Sequence, residues 1–230
     1  TIVTVWGHAP IDQCVFCQAD GSHLFLIGSP TPSIAWQVID KSLQEAASPS
    51  EFNFPWDGRA ILLKISADGQ HWHIWNDWVG SIPVFYTQQD LGIIASTLEP
   101  IVVAAAGSTP NDFFLPGLVC LLIHGHLMAD WTLYRQIKSF PADCVVDWAG
   151  GRLRIEQFFS VLPSQDSWEL PWDTLVDQIY ELSRNAIADV LKTEPAWLIP
   201  LSGGLDSRLI AGVAAREGID VRTYSWGEER

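Results

Sequence analysis

Basic residues are scarce. Lys and Arg total 13 in 230 residues, against 27 Asp and Glu, for a formal net charge of -14. They never form a run. Binding to a phosphate backbone needs clustered cations that displace counterions, so nucleic acid is excluded as a partner. An anionic membrane surface is excluded for the same reason. The acidity bears on solubility and says nothing about the fold.

Cysteine is also sparse, and its spacing argues against a zinc site. Cys14 and Cys17 form a lone C-x-x-C, and Cys120 and Cys144 do not supply the second pair. His71 and His73, like His124 and His126, have no third ligand nearby. Four unpaired cysteines suit a reducing compartment. The longest apolar run, Phe113 to Ile123, is too short to span a bilayer and contains Pro116 and Gly117. No signal peptide is visible at Thr1, so the expected location is cytoplasmic.

What the chain has in quantity is apolar surface. It is 48% hydrophobic, with 12 Trp and 10 Phe, which excludes a disordered tail and suits one large domain or one and a half typical ones.

Residues 1–160 read as hairpins. Asp20-Gly21, Asp68-Gly69 and Gly150-Gly151 each sit between runs of strand character, and Val84–Thr87 and Gly92–Ser96 form a further pair. Thr1–Trp6 is also strand-like. Ile34–Ala47 has helical spacing, and Leu98–Ala106 suits a short helix. Residues 161–171, with Pro163 and Pro171, read as a linker. From Trp172 the period changes to that of a long helix, with Leu175, Val176, Ile179, Leu182, Ile187 and Val190 on its apolar face. Ala196–Leu201 then suits a buried parallel strand. Leu209, Ile210, Val213 and Ala214 mark a helix closed by Gly218, and Asp220–Trp226 reads as the next strand. The whole is a βαβ unit.

Between that strand and that helix lies Ser202-Gly203-Gly204-Leu205-Asp206-Ser207. Ligands bind at this place in open α/β sheets. Backbone N–H groups at a helix start favour an anion, and two glycines let the backbone approach phosphate oxygens. Ser202 and Ser207 add hydroxyls. Asp206 would repel phosphate, which points to an intervening Mg²⁺. The Lys of a Walker loop is absent. A plain strand-to-helix turn, with Asp206 or Ser207 as cap, accounts for only part of this set. By average composition the pattern S-G-G-x-D-S arises by chance in such a chain roughly a few times in ten thousand.

Leu201–Ser207 resembles the pyrophosphate-binding loop of the ATP pyrophosphatases, specifically of the asparagine synthetase class. Asn76–Tyr86 resembles that class's "RD-x-x-G-x-x-PLYY" hairpin, Trp56–Ala60 its "DG-x-FA" strand, and Ala95–Glu99 its "SE-x-K" segment. Asp147–Phe159 is similar to the strand pair that closes its first domain. The resemblance implies an α+β Ntn-type αββα sandwich over 1–160, a glutaminase-like domain, followed over 172–230 by the start of an α/β ATP-pyrophosphatase (adenine nucleotide alpha hydrolase-like) domain. It implies a carboxylate attacking the ATP α-phosphate, then an amine displacing AMP to form an amide. Ser202, Gly203, Gly204 and Ser207 would contact phosphate and Asp206 would hold Mg²⁺. Leu201 and Ser225 to Gly227 would line the base pocket. ATP, Mg²⁺ and a carboxylate substrate are the expected ligands; no catalytic residue is assigned. Arg208 replaces the small residue common at its position, either adding charge near the phosphates or facing solvent.

The departures carry their own expectations. The family's N-terminal nucleophilic Cys is absent; Thr1 falls about one place later and is the candidate for an N-terminal hydrolase reading. Asn76 replaces the Arg of the "RD" pair, and no "NGE-x-YN" segment is found. Glutaminase activity is therefore expected to be absent, as in β-lactam synthetase and the lasso-peptide cyclases, whose members Asp77 and Gly80-Ser81-Ile82-Pro83 also resemble. A parallel sheet needs more strands and helices than one βαβ unit. The chain is expected to be a fragment, a cleaved chain or a pseudo-enzyme, completed by a further C-terminal segment or by dimerisation. A non-catalytic scaffold with a degenerate sandwich is the alternative.

Overall fold

The computed structural model describes residues 2–3, 14–31, 35–52, 57–89, 92–158 and 169–227. Thr1, nearly all of the strand expected at its start, and most of the expected linker lie outside them. The chain divides into two compact units, Thr1–Leu162 and Pro163–Arg230.

The first unit is α+β. Its elements are β1 (Val15–Cys17), β2 (His23–Thr31), α1 (Trp36–Glu45), β3 (Asp57–Ile65), β4 (Trp72–Asn76), β5 (Phe85–Gln89), β6 (Gly92–Ser96), α2 (Glu99–Ala106), α3 (Leu115–His124), β7 (Lys138–Ser139), β8 (Cys144–Ala149) and β9 (Arg152–Gln157). A six-stranded antiparallel sheet runs β1-β2-β3-β4-β8-β9, and a three-stranded antiparallel sheet runs β6-β5-β7. The Asp-Gly and Gly-Gly turns sit where left-handed backbone is needed: Gly21, Gly69, Gly150 and Gly151 all have positive φ.

The six-stranded sheet is covered on both faces, so β3 reads as a continuous apolar run, Ala-Ile-Leu-Leu. Ala60 and Leu62 point to one side, with Leu24, Trp75 and Val145, and meet Ile39 of α1 and Phe52. The Trp75 indole N–H donates to the Pro49 carbonyl at 2.8 Å, which satisfies the one polar atom of a side chain only 1% exposed. Ile61 and Ile65 point to the other side, with Trp72, Ile74 and Val146, and meet Ile82, Val84 and Phe140 together with Tyr86 and Ile93 of the smaller sheet. Trp72 and Trp148, cross-strand partners, stack at 6.0 Å on this face. Helix α2 lies against β5 and β6 with Val102 fully buried. Helix α1 thus packs on one face of the large sheet, the small sheet packs on the other, and α2 contacts the small sheet.

Helix α3 forms where Pro116 and Gly117 interrupt the sequence pattern. Proline is compatible with a first helical turn, where its missing N–H costs nothing. Gly117 is there for close approach: a Cβ would lie 2.7 Å from the Thr132 carbonyl oxygen.

The second unit holds α4 (Trp172–Leu191), β10 (Trp197–Pro200), α5 (Leu205–Arg216) and β11 (Val221–Tyr224). β10 and β11 pair in parallel, Trp197 with Val221 through Pro200 with Tyr224. Helix α5 is the crossover. The Gly218 N–H, in left-handed backbone, closes it on the Ala215 carbonyl at 3.3 Å. The core is Leu191, Ile199 and Ala214, with Ile187, Trp197, Ile210, Ile219 and Val221 around it.

Two expectations for this unit need correction. The apolar stripe of α4 is only partly buried: Ile187 packs against the core beside Leu191, while Ile179 and Leu182 are 62% and 69% exposed. Arg184 pairs with Glu217 at 3.5 Å and with Glu181 at 3.0 Å. And β10 is covered on one side only, with Ile199 buried and Leu198 exposed. No helix among the described residues is long and apolar enough to cross a membrane.

Candidate functional site

The Ser202–Ser207 loop leaves the carboxyl end of β10 and enters α5. The Leu201 N–H still belongs to the strand pair and donates to the Tyr224 carbonyl at 2.7 Å. The chain then turns at Gly203, whose φ of +79° is left-handed. A non-glycine residue there would carry backbone strain. Gly204 has ordinary backbone, but a Cβ on it would sit 3.3 Å from Ser202 Oγ. Together the two glycines leave the outer side of the loop as bare backbone.

The helix begins without a side-chain cap. Gly204 is the N-cap residue, and neither Asp206 nor Ser207 takes that place. Asp206 stands in the first turn, exposed, where a carboxylate complements the positive helix end. Ser207 instead points back across the loop. Its hydroxyl accepts the Ser202 N–H at 3.3 Å and donates to the Gly204 carbonyl at 3.4 Å. The Gly204 N–H reaches Ser202 Oγ at 3.4 Å. These distances are at the long end for hydrogen bonds, where the energy per bond is small. The donors are ordered by each other and weakly held, so a ligand oxygen can replace the internal acceptor at low cost.

Arg208 settles against the loop. Its Nε donates to the Gly204 carbonyl at 3.1 Å, which fixes the root of the guanidinium at the helix start. Ser225 and Gly227 follow β11 and are exposed, as is Trp226 between them. The Tyr224 and Trp226 rings lie 5.6 Å apart and form an aromatic pair just past the carboxyl end of the strand that adjoins β10. Parallel pairing is what brings the end of β11 beside the end of β10.

In the first unit, the segment expected to resemble an amidotransferase hairpin is held by Asp77. This carboxylate is 5% exposed. It accepts from the Val79 N–H at 3.1 Å, the Ser81 N–H at 3.0 Å and the Ser81 hydroxyl at 2.7 Å. Asn76 beside it is 2% exposed and donates through Nδ2 to the Pro141 carbonyl at 3.1 Å. Its amide faces the protein interior. Cys144 donates its thiol to the same carbonyl at 3.1 Å, and burial pushes that thiol up to about 12, which makes it inert as a nucleophile. Cys14 and Cys17 carry free thiols. Among the described residues, no three His, Cys, Asp or Glu side chains are placed to hold a metal by themselves.

No protein-family model matches the chain, and no curated protein sequence matches it.

Proposed function

We propose that the Ser202–Ser207 loop binds the phosphates of ATP in an asparagine synthetase-like, ATP-dependent, amide-forming synthetase. The observation that carries this reading is the convergence of Ser202, Gly203, Gly204 and Ser207 at the carboxyl end of a parallel strand, with Asp206 on the first turn of the crossover helix. In the proposed reaction a substrate carboxylate oxygen bonds to the α-phosphorus as the bond to pyrophosphate breaks. An amine nitrogen then bonds to the acyl carbon, and AMP leaves. Preorganised N–H and O–H donors stabilise the charge that collects on the departing pyrophosphate. Mg²⁺ would supply charge neutralisation for the phosphates. Asp206, an exposed carboxylate beside the bare backbone of Gly203 and Gly204, is the residue fitted to hold it. Ser225, Trp226 and Gly227 suit the nucleobase side of the site. Leu201 joins them from the end of β10.

The first unit is α+β, which is compatible with an Ntn-type sandwich, and we read it as one that does not use glutamine. Asn76 supports that reading. Where the glutaminases carry an Arg, this chain has a short, buried amide bonded to the Pro141 carbonyl. An intramolecular amide synthetase is the subclass this favours.

The test is ATP–pyrophosphate exchange, with a panel of carboxylates, by the full-length protein that contains this sequence. Carboxylate-dependent exchange that Asp206→Ala abolishes is the expected result. Absence of ATP·Mg²⁺ binding in calorimetry, with Asp206→Ala indistinguishable from the parent, would sink the proposal. It would leave the scaffold reading, in which the loop is a remnant.

A further inference from the structure

A second polar site lies on the first unit, on the α1 side of the large sheet. Strand register sets it up. Lys64, His73, Asp147 and Arg154 are successive cross-strand partners on β3, β4, β8 and β9, and so form one lateral row on one face. The neighbouring row is Leu62, Trp75, Val145 and Glu156, which is apolar until its end.

Opposite charges on facing residues of adjacent strands ordinarily close on each other. Asp147 and Arg154 do not. The Asp147 carboxylate turns to His73, with Oδ1 at 3.1 Å from Nδ1, and the Arg154 guanidinium turns to Glu156 at 3.5 Å. The His73 contact is short but misaligned, so Nδ1 makes no proper hydrogen bond. Burial lowers the His73 pKa more than Asp147 raises it, with Lys64 and His71 adding to the lowering. Burial therefore favours the neutral ring, and among the described residues no Lys or Arg lies within ion-pair distance of Asp147.

Between the separated charges is a hollow of about 410 Å³, lined by His73, Asp147, Arg154 and Glu156 and rimmed by Ser48 and Ser50. The two rim hydroxyls lie 3.1 Å apart. A simple anion meets two carboxylates here, and a simple cation meets Arg154. A small molecule with both charges can set each end against the residue of opposite sign, its ammonium also offsetting the second carboxylate.

We propose that this hollow binds a small zwitterion of the free amino acid class, with its ammonium on Asp147 and its carboxylate on Arg154. Adjacent strands are about 4.8 Å apart, a spacing that the two ends of an α-amino acid bridge with ordinary charge-assisted hydrogen bonds. The Ser48 and Ser50 hydroxyls then face whatever side chain the ligand carries.

Glycine is the minimal probe, and methylammonium and acetate are its two halves. Each is titrated into the ¹⁵N-labelled 230-residue chain at pH 7 and constant ionic strength, following the amide resonances of Asp147, Arg154 and Ser50. Glycine is expected to give saturable shifts in the millimolar range, with each half-probe at least about tenfold weaker. Asp147→Asn and Arg154→Gln are each expected to weaken glycine by a similar factor. Arg154 is 76% exposed on an edge strand, so the second variant reads binding without disturbing the fold. No saturable shift with glycine, acetate or methylammonium binding as well as glycine, or glycine binding unchanged in both variants would each overturn the proposal. The outcome is independent of nucleotide binding at the Ser202–Ser207 loop.

Discussion

Ser202 Oγ and Ser207 Oγ lie 3.3 Å apart, one at the end of a strand and the other in the first turn of the following helix. Four residues lie between them, and the hydroxyls close that stretch into a ring of donors. The contact sits on a loop with no side chain over Gly203 and only the Ser202 hydroxyl close to Gly204. It is a preorganised loop held by weak bonds, and those bonds can open without breaking the fold.

Ser207→Ala therefore separates binding from stability. The variant loses long, exposed hydrogen bonds, so its urea midpoint should move by the equivalent of less than about 1 kcal/mol. ATP·Mg²⁺ affinity by calorimetry should fall about tenfold, because one phosphate donor is gone and the Ser202 N–H has lost its partner. A stability loss with unchanged affinity would reverse this assignment.

Gly28→Ala should be among the most damaging single changes in the first unit. Gly28 sits inside β2, opposite Ala60, with φ +114°. A Cβ there would lie 2.1 Å from the Arg59 carbonyl oxygen and 2.8 Å from Ile82 Cδ1. Backbone cannot move that far without breaking the pairing of β2 with β3. A loss of about 3–5 kcal/mol is expected, read by denaturant unfolding. Gly203→Ala has a left-handed φ but nothing within 4 Å of the new Cβ. Its cost should stay near 1–2 kcal/mol, from strain alone.

Glu99 opens α2, where a helix dipole favours an ionised carboxylate, but desolvation acts the other way and raises its pKa above the ordinary 4.5. The Leu133 amide opposes that rise only in part. With the folded value above the unfolded one, the contribution to stability is full below pH 4.5 and fades as pH rises through the folded value. Glu99→Gln removes the titration. Its stability relative to the parent should improve steadily from pH 4 to pH 7 in thermal melts. A slope of the opposite sign would mean that the dipole wins over desolvation.

Asn76→Ala should destabilise modestly. The variant loses the bond to the Pro141 carbonyl, which still receives the Cys144 thiol, a weak donor. It also removes Asn76 Oδ1, a buried acceptor with no partner among the described residues. The first effect costs about 1–3 kcal/mol and the second returns part of it, leaving a net loss near 1 kcal/mol. Glutamine hydrolysis should be undetectable before and after the change.

Much of this architecture is readable in the residues. Asp20-Gly21 and Asp68-Gly69 announce their hairpins because left-handed turns admit few other residues. The βαβ unit is readable because its period changes from strand to helix and back around two adjacent glycines. Four features are not readable. Helix α3 is hidden because Pro116 and Gly117 look like breakers, and only the three-dimensional position of the Thr132 carbonyl explains the glycine. The insertion of β8 beside β4, joining segments about 70 residues apart, is set by which faces fit and leaves no local signal. The α4 face is misread in part because periodicity finds an apolar stripe without saying what covers it; Ile187 packs against the core beside Leu191, while Ile179 and Leu182 are exposed. The row of charges across β3, β4, β8 and β9 depends on register, and no spacing in the chain reveals it.

Pro200 gives the parallel pair a further property. The Leu201 N–H points toward β11, since it bonds to the Tyr224 carbonyl. Alternation along the strand then turns the nitrogen of Pro200 toward the opposite edge of β10, where it has no hydrogen to offer. That edge cannot present an unbroken row of donors to a passing strand. Among the described residues the pair is two-stranded with apolar Leu198 on its surface, the kind of element that can recruit other chains into growing sheets, and a proline at an edge opposes such pairing. Replacing Pro200 with Val should raise the rate at which the protein forms thioflavin-positive aggregates while leaving its nucleotide loop unchanged.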